Sequence, residues 1–252
     1  MDDTLLGPVR ICIPSKHRTT NVPRMRQLFS TAWWFVDEVE ADDYLGAGVP
    51  ESQLKTHPSL RGLGRIRNWM MDHAESDALA MMDDDIIGLT SLVGRRARRY
   101  SSPEVAATVI RNLYQVGTDL GLHACGWGAS PDIAFFSGYA PFGLKSDFNG
   151  AYMICRQGIR FDDDILTMED FDFVLKVLLT DRIALVEKRW CWVRTPVTGT
   201  RGGLQSTRSQ EVRAADLVRL KASWGDYFRA PTTMEHETNV FNVVRRCKLA
   251  AD

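Results

Sequence analysis

Three consecutive carboxylates, Asp83-Asp84-Asp85, directly follow the apolar run Ala78–Met82. The run has the length and composition of a buried strand, and in open α/β sheets ligands bind at the carboxyl ends of strands. Asp83 and Asp85 occupy alternate positions, so we predict that they point the same way. Two convergent carboxylates can hold a hard divalent cation that bridges phosphate oxygens. The alternative is a solvated acidic turn, in which three like charges would repel one another.

The remainder of the sequence predicts a single three-layer α/β domain with a mixed central sheet. Strand and helix patterns alternate in the first half, and short strands follow later. The predicted helices begin near Arg24, Arg65, Ser102, Thr167 and Ser209, and the predicted strands are Val9–Ile13, Trp34–Val39, Ala78–Met82, Leu122–Cys125, Ile133–Phe136, Ala151–Cys155 and Ile183–Val186. Glycines and prolines between Leu45 and Arg61 indicate an irregular segment.

Composition excludes several classes of protein. With 252 residues, of which 44% are hydrophobic and 25% charged, the chain is long enough for one large globular domain. Its net charge of −1 creates no overall attraction to nucleic acid. The apolar runs are too short to span a bilayer and the first residues are acidic, so we expect a cytoplasmic protein without a membrane partner. Five scattered cysteines without a CxxC pair argue against a disulfide framework or a zinc ribbon.

Two basic motifs are candidate binding sites for a nucleotide. In Gly64-Arg65-Ile66-Arg67-Asn68, the guanidinium groups can pair with a diphosphate and the glycine permits close approach of the backbone. In Pro14-Ser15-Lys16-His17-Arg18, polar side chains follow the first predicted strand. A solvated helix start and a polar turn are the respective alternatives. A Walker A motif and a GxGxxG motif are both absent from the sequence.

An acidic helix start and a glycine pair are further candidates. Thr167-Met-Glu169-Asp170-Phe-Asp172 is also typical of a capping box, in which acids are stabilised by the helix macrodipole. Gly202-Gly203 and Arg208 could bind a phosphate, or the glycine pair could simply form a turn of the chain.

Four arginines occupy five positions in Arg95-Arg96-Ala97-Arg98-Arg99, and Tyr100 follows them. Such a cluster can hold a phosphate backbone, with the tyrosine as a stacking surface; the alternative is a solvated basic loop. Trp127 and Phe135-Phe136 are candidates for lining an acceptor pocket, although aromatic residues more often belong to the core.

The order and spacing of these motifs over about residues 9 to 180 resemble a nucleotide-sugar glycosyltransferase of the GT-A fold. The motifs are Pro-Ser-x-x-Arg after a strand, Gly-x-x-Arg-Asn, Asp-Asp-Asp after a strand, and a Glu-Asp pair that opens a helix. The compact size and the glycine pair before Arg208 are similar to the TET-associated glycosyltransferases of bacterial viruses. That family is implicated in attaching sugars to 5-hydroxymethylated pyrimidines in viral DNA.

The resemblance implies a single Rossmann-like GT-A domain over residues 1–252, with a nucleotide-sugar-binding half at about 9–125 and an acceptor-binding half at about 126–252. It implies Mn²⁺ or Mg²⁺ at Asp83 and Asp85, a general base at Asp170, and an acceptor site shaped by Glu169. The remaining expected donor ligands are Ser15, Arg18, Arg65, Arg67, Asp83 and Asp84. The expected DNA or acceptor ligands are Gly202, Gly203 and Arg208, together with Arg95, Arg96, Arg98 and Arg99, whose cluster supports a DNA acceptor independently of the resemblance.

The expected reaction moves a hexose or N-acetylhexosamine from a UDP-sugar, with inversion, to 5-hydroxymethylcytosine in double-stranded DNA. For a viral protein, the expected compartment is the host cytoplasm. Many GT-A enzymes add a late histidine to the metal shell, and only His236 lies late enough here, outside any ligand motif. The alternatives left open are a GT-A enzyme with a glycan or other non-DNA acceptor, a nucleotidyltransferase, and a non-catalytic DNA-binding module.

Overall fold

A mixed ten-stranded sheet forms the centre of the computed structural model, which describes residues 6–93, 96–128, 140–144, 148, 150–195 and 209–228. Along the sheet the described strands follow the order β3-β2-β1-β4-β9-β7-β10-β5-β6, and β8 pairs with β10. They are β1 (Arg10–Ser15), β2 (Trp33–Asp37), β3 (Leu54–His57), β4 (Leu79–Met82), β5 (Ile86–Val93), β6 (Arg96–Tyr100), β7 (Ala124–Gly128), β8 (Phe142–Gly143), β9 (Ala151–Ile154) and β10 (Leu185–Arg194).

The strand order reverses between β1 and β4. From β1 the chain continues outward to β2 and β3, and it then returns to pair β4 with the other side of β1. These four strands are parallel, so the carboxyl ends of β1 and β4 are neighbours, with Cys12 opposite Met81. Strand β9 is antiparallel to both β4 and β7. The predicted mixed sheet is therefore confirmed, and its switch point lies where ligand crevices form in α/β domains.

Helices cover both faces of the sheet, which confirms the three-layer architecture. On one face, Ile11 and Ile13 of β1 pack with buried residues of α1 and α4; on the other, Cys12 packs with buried residues of α3 and α5. The helices are α1 (Val22–Leu28), α2 (Ala41–Gly46), α3 (Leu63–His73), α4 (Pro103–Asp119), α5 (Glu169–Asp181) and α6 (Gln210–Trp224), with single 3-10 turns at Thr19–Asn21, Glu38–Glu40, Glu51–Gln53 and Gly225–Tyr227.

Helix α4 begins as the sequence predicts. The Ser102 hydroxyl accepts a hydrogen bond from the Val105 backbone N–H at 3.4 Å, and Pro103 occupies the first turn. The predicted apolar face is only partly correct, because Val109 and Leu113 are buried but Leu120 is 54% exposed. The buried face is centred instead on smaller residues, among them Ala106, Ala107 and Gly117.

Several regions differ from the sequence predictions, among them β5 and β8, which were not predicted, and β10, which extends beyond the predicted Ile183–Val186. The segment predicted to be irregular contains β3, which pairs parallel to β2 and extends the sheet. The arginine cluster is not a loop, because Arg96–Tyr100 forms the edge strand β6, antiparallel to β5. Neither strand is long or strongly alternating, so pairing with a neighbour stabilises each of them more than its own sequence does. The predicted strand Ile133–Phe136 lies outside the described residues.

Helix α6 packs against α5 through a third, smaller core. Leu220 and Phe228 are fully buried there and contact Phe171 and Leu175 of α5. The helix predicted to begin near Ser209 is present, and Ser209 caps it by accepting a hydrogen bond from the Val212 N–H at 3.2 Å.

None of the described helices is long and apolar enough to cross a membrane. The described cysteines, Cys12, Cys125, Cys155 and Cys191, are buried free thiols.

Candidate active site

Asp84 joins β4 to β1 at the switch point. Its side chain is buried and accepts hydrogen bonds from Ser15 Oγ at 2.5 Å and Arg18 Nη1 at 2.7 Å. Because Ser15 gives its hydroxyl proton to Asp84, it accepts the hydrogen bond from Tyr44 Oη at 2.6 Å. Burial raises the pKa of Asp84, and the Arg18 guanidinium opposes that shift. The three predicted donor ligands Ser15, Arg18 and Asp84 therefore lie together and bind one another.

Asp83 lies between two arginines. Its Oδ1 is 3.4 Å from Arg67 Nη2, and its Oδ2 is 3.4 Å from Arg194 Nη1. The Asp83 backbone N–H donates to the carbonyl of Gly150, just before β9, at 3.2 Å. Gly150 has a φ of +65°, and a β-carbon there would collide with the side chains of Asp83 and Arg194. Glycine is thus required for this close approach.

Asp85 carries a carboxylate with a strongly raised pKa. Burial and the neighbouring charge of Asp83 raise the pKa of Asp85 to about 6. Its Oδ1 is buried without a hydrogen-bond partner among the described residues, and its Oδ2 is 3.7 Å from Arg18 Nη1. The backbone carbonyl of Asp85 accepts a hydrogen bond from the Thr195 N–H at 3.0 Å, which joins this turn to the end of β10.

The donor atoms of Asp83 and Asp85 suit Mn²⁺ or Mg²⁺. Each ion accepts oxygen ligands, and Mg²⁺ sites commonly use one or two carboxylates together with water and substrate phosphates. The unpartnered Oδ1 of Asp85 and its raised pKa both indicate a carboxylate that a cation would stabilise. Within the described ranges, no three His, Cys, Asp or Glu side chains converge on one metal position. Further ligands would then come from the donor and from water.

Replacing Asp85 with asparagine is expected to stabilise the metal-free protein at neutral pH. The native pKa of about 6 exceeds the ordinary value of 3.8, so the native state binds more protons than the unfolded chain between these values. The free energy of unfolding of the wild type therefore falls as pH rises from about 4 to 6. Asp85→Asn should raise it by about 1–2 kcal/mol at pH 7, a value discounted for partial exposure, and by much less at pH 4. Urea denaturation in EDTA measures both values; equal stabilities at pH 7 would contradict the expectation.

Arg67 connects Asp83–Asp85, here called the aspartate turn, to the start of α5. Its side chain is 3% exposed, and Nη1 lies 2.7 Å from Glu169 Oε1 while Nη2 lies 3.4 Å from Asp83 Oδ1. Nη1 also donates to Tyr152 Oη at 3.1 Å, and the guanidinium carbon is 4.2 Å from the centroid of the Tyr152 ring. Burial by itself would lower the pKa of Arg67, but Tyr152 and the nearby carboxylates, Asp170 among them, raise it. The arginine is therefore a fixed positive charge surrounded by protein groups.

The first turn of α5 is acidic and is positioned by partners from distant elements. Glu169 is buried against Arg67, whereas Asp170 is half-buried and accepts a hydrogen bond from the Phe171 N–H at 3.0 Å. The helix begins at Glu169, two residues later than predicted, and no side chain caps it. Instead of forming a capping box, Thr167 donates its hydroxyl to Asp216 of α6 at 2.6 Å.

The other positions of the Gly-x-x-Arg-Asn motif contact the segment that precedes α5. Asn68 donates to the Phe161 carbonyl and accepts from its N–H, both at 3.0 Å. A β-carbon at Gly64 would lie 3.0 Å from the Asp162 carbonyl oxygen, so glycine allows this close packing. Arg65 is partly exposed and donates to the carbonyl of Asp163 at 2.8 Å.

A polar cluster that the sequence did not predict lies at the carboxyl ends of β1, β2 and β3. Asp37 is buried and accepts a hydrogen bond from Ser59 Oγ at 2.9 Å, and Lys16 Nζ is 3.5 Å away. Burial opposes ionisation of Asp37, but these partners hold its pKa below the usual value. Burial lowers the pKa of His57, whose Nδ1 is enclosed without a hydrogen-bond partner in the described part of the chain. This cluster extends the crevice sideways from Ser15.

The described arginines of β6 are exposed. Arg96, Arg98 and Arg99 form no ion pair with another described residue, and the Arg98 guanidinium carbon is 5.3 Å from the centroid of the Tyr100 ring. Arg99 pairs with Thr90, and Arg96 with Val93. At about 3.3 Å per residue along β5, these two positions lie about 16 and 26 Å from Asp85. Arg96 and Arg98 lie at alternate positions on one face of the strand and form a row that leads away from the aspartate turn, whereas Arg99 lies on the opposite face.

Trp127 is fully buried in the core and does not line an open pocket. The predicted residues that lie outside the described ranges are Arg95, Phe135, Phe136, Gly202, Gly203, Arg208 and His236.

Sequence reasoning also missed Tyr44, Tyr152, Gly150 and Arg194 as parts of the site. Each contacts a motif residue that lies between 29 and 111 positions away in the sequence, and none carries a local signal.

The fold is that of a single Rossmann-like glycosyltransferase domain, with carboxylates at the switch point of the sheet and an acidic helix start joined to them through Arg67. The chain belongs to the TET-associated glycosyltransferases, because the model of that family matches residues 9–203. It is accordingly a glycosyltransferase, of a family associated with the modification of bases in DNA. None of the curated proteins matches the chain.

Two solved structures match the chain at low sequence identity. A197 from STIV is 9% identical, with a TM-score of 0.40 over 75% of this chain and 85% of that chain. A CMP:2-keto-3-deoxy-manno-octonic acid synthetase solved with CTP is 14% identical, with a TM-score of 0.38 over 85% of this chain and 100% of that chain.

Proposed function

We propose that the protein is a metal-dependent, inverting glycosyltransferase that moves a hexose or N-acetylhexosamine from a UDP-sugar to the hydroxyl of 5-hydroxymethylcytosine in double-stranded DNA. The observation that carries the proposal is the link from Asp83 through Arg67 to Glu169, next to Asp170. It places the aspartate turn, where the donor is proposed to bind, close to a second acidic group that can serve the acceptor. Membership of the family supports a nucleotide-sugar donor and a DNA acceptor.

The donor diphosphate is proposed to bind at Asp83 and Asp85. Mn²⁺ or Mg²⁺ held by these carboxylates would neutralise the charge that develops on the departing diphosphate. Arg194 and Arg18 flank the carboxylates at 3.4 and 3.7 Å and balance part of their charge. Arg65, which is partly exposed, is a candidate for a further contact with phosphate.

The nucleoside is proposed to bind along the ends of β1 to β3. Ser15, Arg18 and Asp84 form the base of the crevice through their mutual hydrogen bonds. Beyond them, His57 has an enclosed nitrogen with unused hydrogen-bonding capacity, and Lys16 provides a cation. Such groups can recognise the edge of a base or a ribose hydroxyl.

Asp170 is proposed to act as the general base. In an inverting transfer, the acceptor oxygen forms a bond to the anomeric carbon while the bond from that carbon to the diphosphate oxygen breaks, and the diphosphate leaves with the electron pair. The proton of the acceptor hydroxyl passes to the Asp170 carboxylate. A carboxylate is a weak base for an alcohol, but it suffices when proton transfer lags bond formation at an oxocarbenium-like centre. Glu169 is buried against Arg67 whereas Asp170 is half-buried, so Asp170 is the better candidate for contact with an acceptor.

A base in duplex DNA must leave the stack before its hydroxymethyl group can reach an enclosed carboxylate. Unstacking and unpairing cost a few kcal/mol, which contacts with the DNA backbone must offset. The row of exposed arginines on β6 can supply such contacts, and Tyr100 offers an aromatic ring at its end. We propose that the acceptor strand follows this row away from the aspartate turn.

Neutralising two arginines of the row is expected to weaken DNA binding selectively. The Arg96→Gln, Arg98→Gln double variant should reduce affinity for the duplex and flatten the log–log salt dependence by about 1.8, because each phosphate contact contributes about 0.9. Donor affinity should not change. Fluorescence anisotropy between 50 and 200 mM salt measures the slope.

The matched control is Arg111→Gln with Arg182→Asn, which removes two exposed positive charges elsewhere on the surface. An equal loss of slope in the control and in the β6 variant would show that only net charge matters, and it would contradict the proposed path of the DNA.

The proposed reaction is tested by incubating the enzyme, Mn²⁺ and a panel of nucleotide sugars with duplex DNA that contains 5-hydroxymethylcytosine. The DNA is then digested to nucleosides for mass spectrometry. A hexose or N-acetylhexosamine increment on the modified nucleoside, absent with unmodified cytosine, is the expected result. Transfer to a glycan or protein acceptor, with the modified DNA unchanged, would remove the DNA acceptor from the proposal and retain the glycosyltransferase.

A further inference from the structure

We propose that Arg67 is a positioning residue that fixes α5, the helix that carries Asp170, relative to the donor site, and that it does not bind the donor diphosphate. This inference rests on the proposed function, in which Asp83 belongs to the donor site and Asp170 accepts the proton. The assignment differs from the sequence analysis, which predicts that Arg67 binds the donor.

The enclosure of Arg67 argues against contact with a ligand. Only 3% of its side chain is exposed, and its Nε is buried without a partner in the described part of the chain. Both terminal nitrogens are already near protein oxygens, with Nη1 close to Glu169 and Tyr152 and Nη2 close to Asp83. The aromatic rings of Tyr152 and Phe161 lie 4.2 and 5.4 Å from the guanidinium carbon. A diphosphate would have to displace these groups to reach the cation.

The partners of Arg67 come from two other elements of the fold. Arg67 lies on α3, Glu169 begins α5, and Asp83 follows β4. One planar guanidinium therefore sets the separation between the aspartate turn and the first turn of α5. The adjacent residue, Asp170, lies close enough for its charge to act on Arg67. A shift of the helix start would move Asp170 relative to the anomeric carbon of a bound donor.

A lysine at position 67 separates positioning from binding. Lysine keeps the positive charge but has one ammonium group, which cannot bridge Glu169 and Asp83 as the two terminal nitrogens of arginine do. We expect Arg67→Lys to lower kcat for transfer roughly 10²-fold, the loss typical of a misplacement of about 1 Å. The KM for UDP-glucose, used as the donor probe with Mn²⁺, should change by less than about threefold.

A double-mutant cycle with Asp170→Asn tests whether Arg67 acts through the base. If it does, Arg67→Lys should have almost no further effect on kcat in the Asp170→Asn background, because the group that it positions is already gone. Arg160→Lys is the matched control. On the surface, Arg160 forms a two-point ion pair, at 2.9 and 2.7 Å, with Asp72 of α3, the helix that also carries Arg67. The control should retain wild-type kcat and KM.

A buried lysine can fail to fold, so Glu169→Gln is the second variant. Glutamine keeps an acceptor oxygen for Arg67 and removes the charge of the ion pair, and we expect a loss of kcat of roughly tenfold that also disappears in the Asp170→Asn background. Near-UV circular dichroism and thermal unfolding identify the folded variants.

The assignment is supported if the wild type is active and if the losses of Arg67→Lys and Glu169→Gln are non-additive with the loss of Asp170→Asn. A rise of more than tenfold in the KM for UDP-glucose at unchanged kcat, or losses that add in the cycle, would overturn it while leaving the proposed function intact. Modified DNA left unchanged by the wild-type enzyme with every donor would overturn the proposed function, and this inference with it.

Discussion

Asp85→Asn is expected to abolish metal-stimulated sugar transfer, with a loss of at least about 10³-fold in kcat. The loss follows from the several kcal/mol of charge stabilisation that a cation supplies at a departing diphosphate, at 1.36 kcal/mol for each factor of ten. Asparagine has the same shape as aspartate but lacks the charge that attracts a divalent cation. Initial rates at increasing Mn²⁺, together with Mn²⁺ binding followed by electron paramagnetic resonance, measure the effect.

The same variant should be inactive and yet more stable than the wild type in EDTA, a combination that misfolding cannot produce. Asp43→Asn, on the exposed surface of α2, is the control and should bind Mn²⁺ and transfer sugar like the wild type. Full wild-type activity in EDTA would show that the reaction needs no divalent cation, and it would refute the role of this turn.

Asp170→Asn is expected to lower the rate of transfer by about 10²–10⁴-fold while leaving the affinity for the donor unchanged, as removal of a general base does. Asparagine can still accept the hydrogen bond from the Phe171 N–H, so the first turn of α5 should keep its conformation. Single-turnover kinetics with modified DNA measures the chemical step, and calorimetric titration with UDP and Mn²⁺ measures donor binding.

Asp226→Asn serves as the control for Asp170, because Asp226 is fully exposed at the end of the described chain segment and pairs only with Lys221 among the described residues. If the donor affinity of Asp170→Asn collapses instead of its rate, the residue belongs to the nucleotide site or to the helix start, and another group must accept the proton.

The sequence predicted the fold class because the signals of that class are local. The apolar run before Asp83, the Ser102-Pro103 helix start and the breaks at glycine and proline each depend on a few neighbouring residues. Strand β6 gave no such signal, because Arg96–Tyr100 is mostly charged and exposed and is held in place by pairing with β5. Pairing between strands depends on tertiary structure, which propensities do not contain.

The acidic residues of the candidate site could be named from the sequence, but most of their contacts could not. Asp83, Asp84, Asp85, Glu169 and Asp170 all lie on two neighbouring segments that Arg67 connects. The sequence could not show that Arg67 is enclosed, because its partner Glu169 is 102 residues away and Tyr152 is 85 residues away. It also could not show that Ser15 and Arg18 bind Asp84, since that arrangement depends on β1 and β4 being adjacent.

Asp216 of α6 holds the segment that leads into α5. It accepts hydrogen bonds from the Leu166 and Thr167 N–H groups at 3.2 and 2.8 Å and from the Thr167 hydroxyl, just ahead of the helix that carries Asp170. Trp224 of the same helix donates its indole N–H to Asp172 at 2.9 Å. Both residues lie beyond the region that matches the family model, residues 9–203. The matched region therefore does not contain all the groups that hold the start of α5 in this chain, and a protein cut back to that region would lose part of the support of this helix.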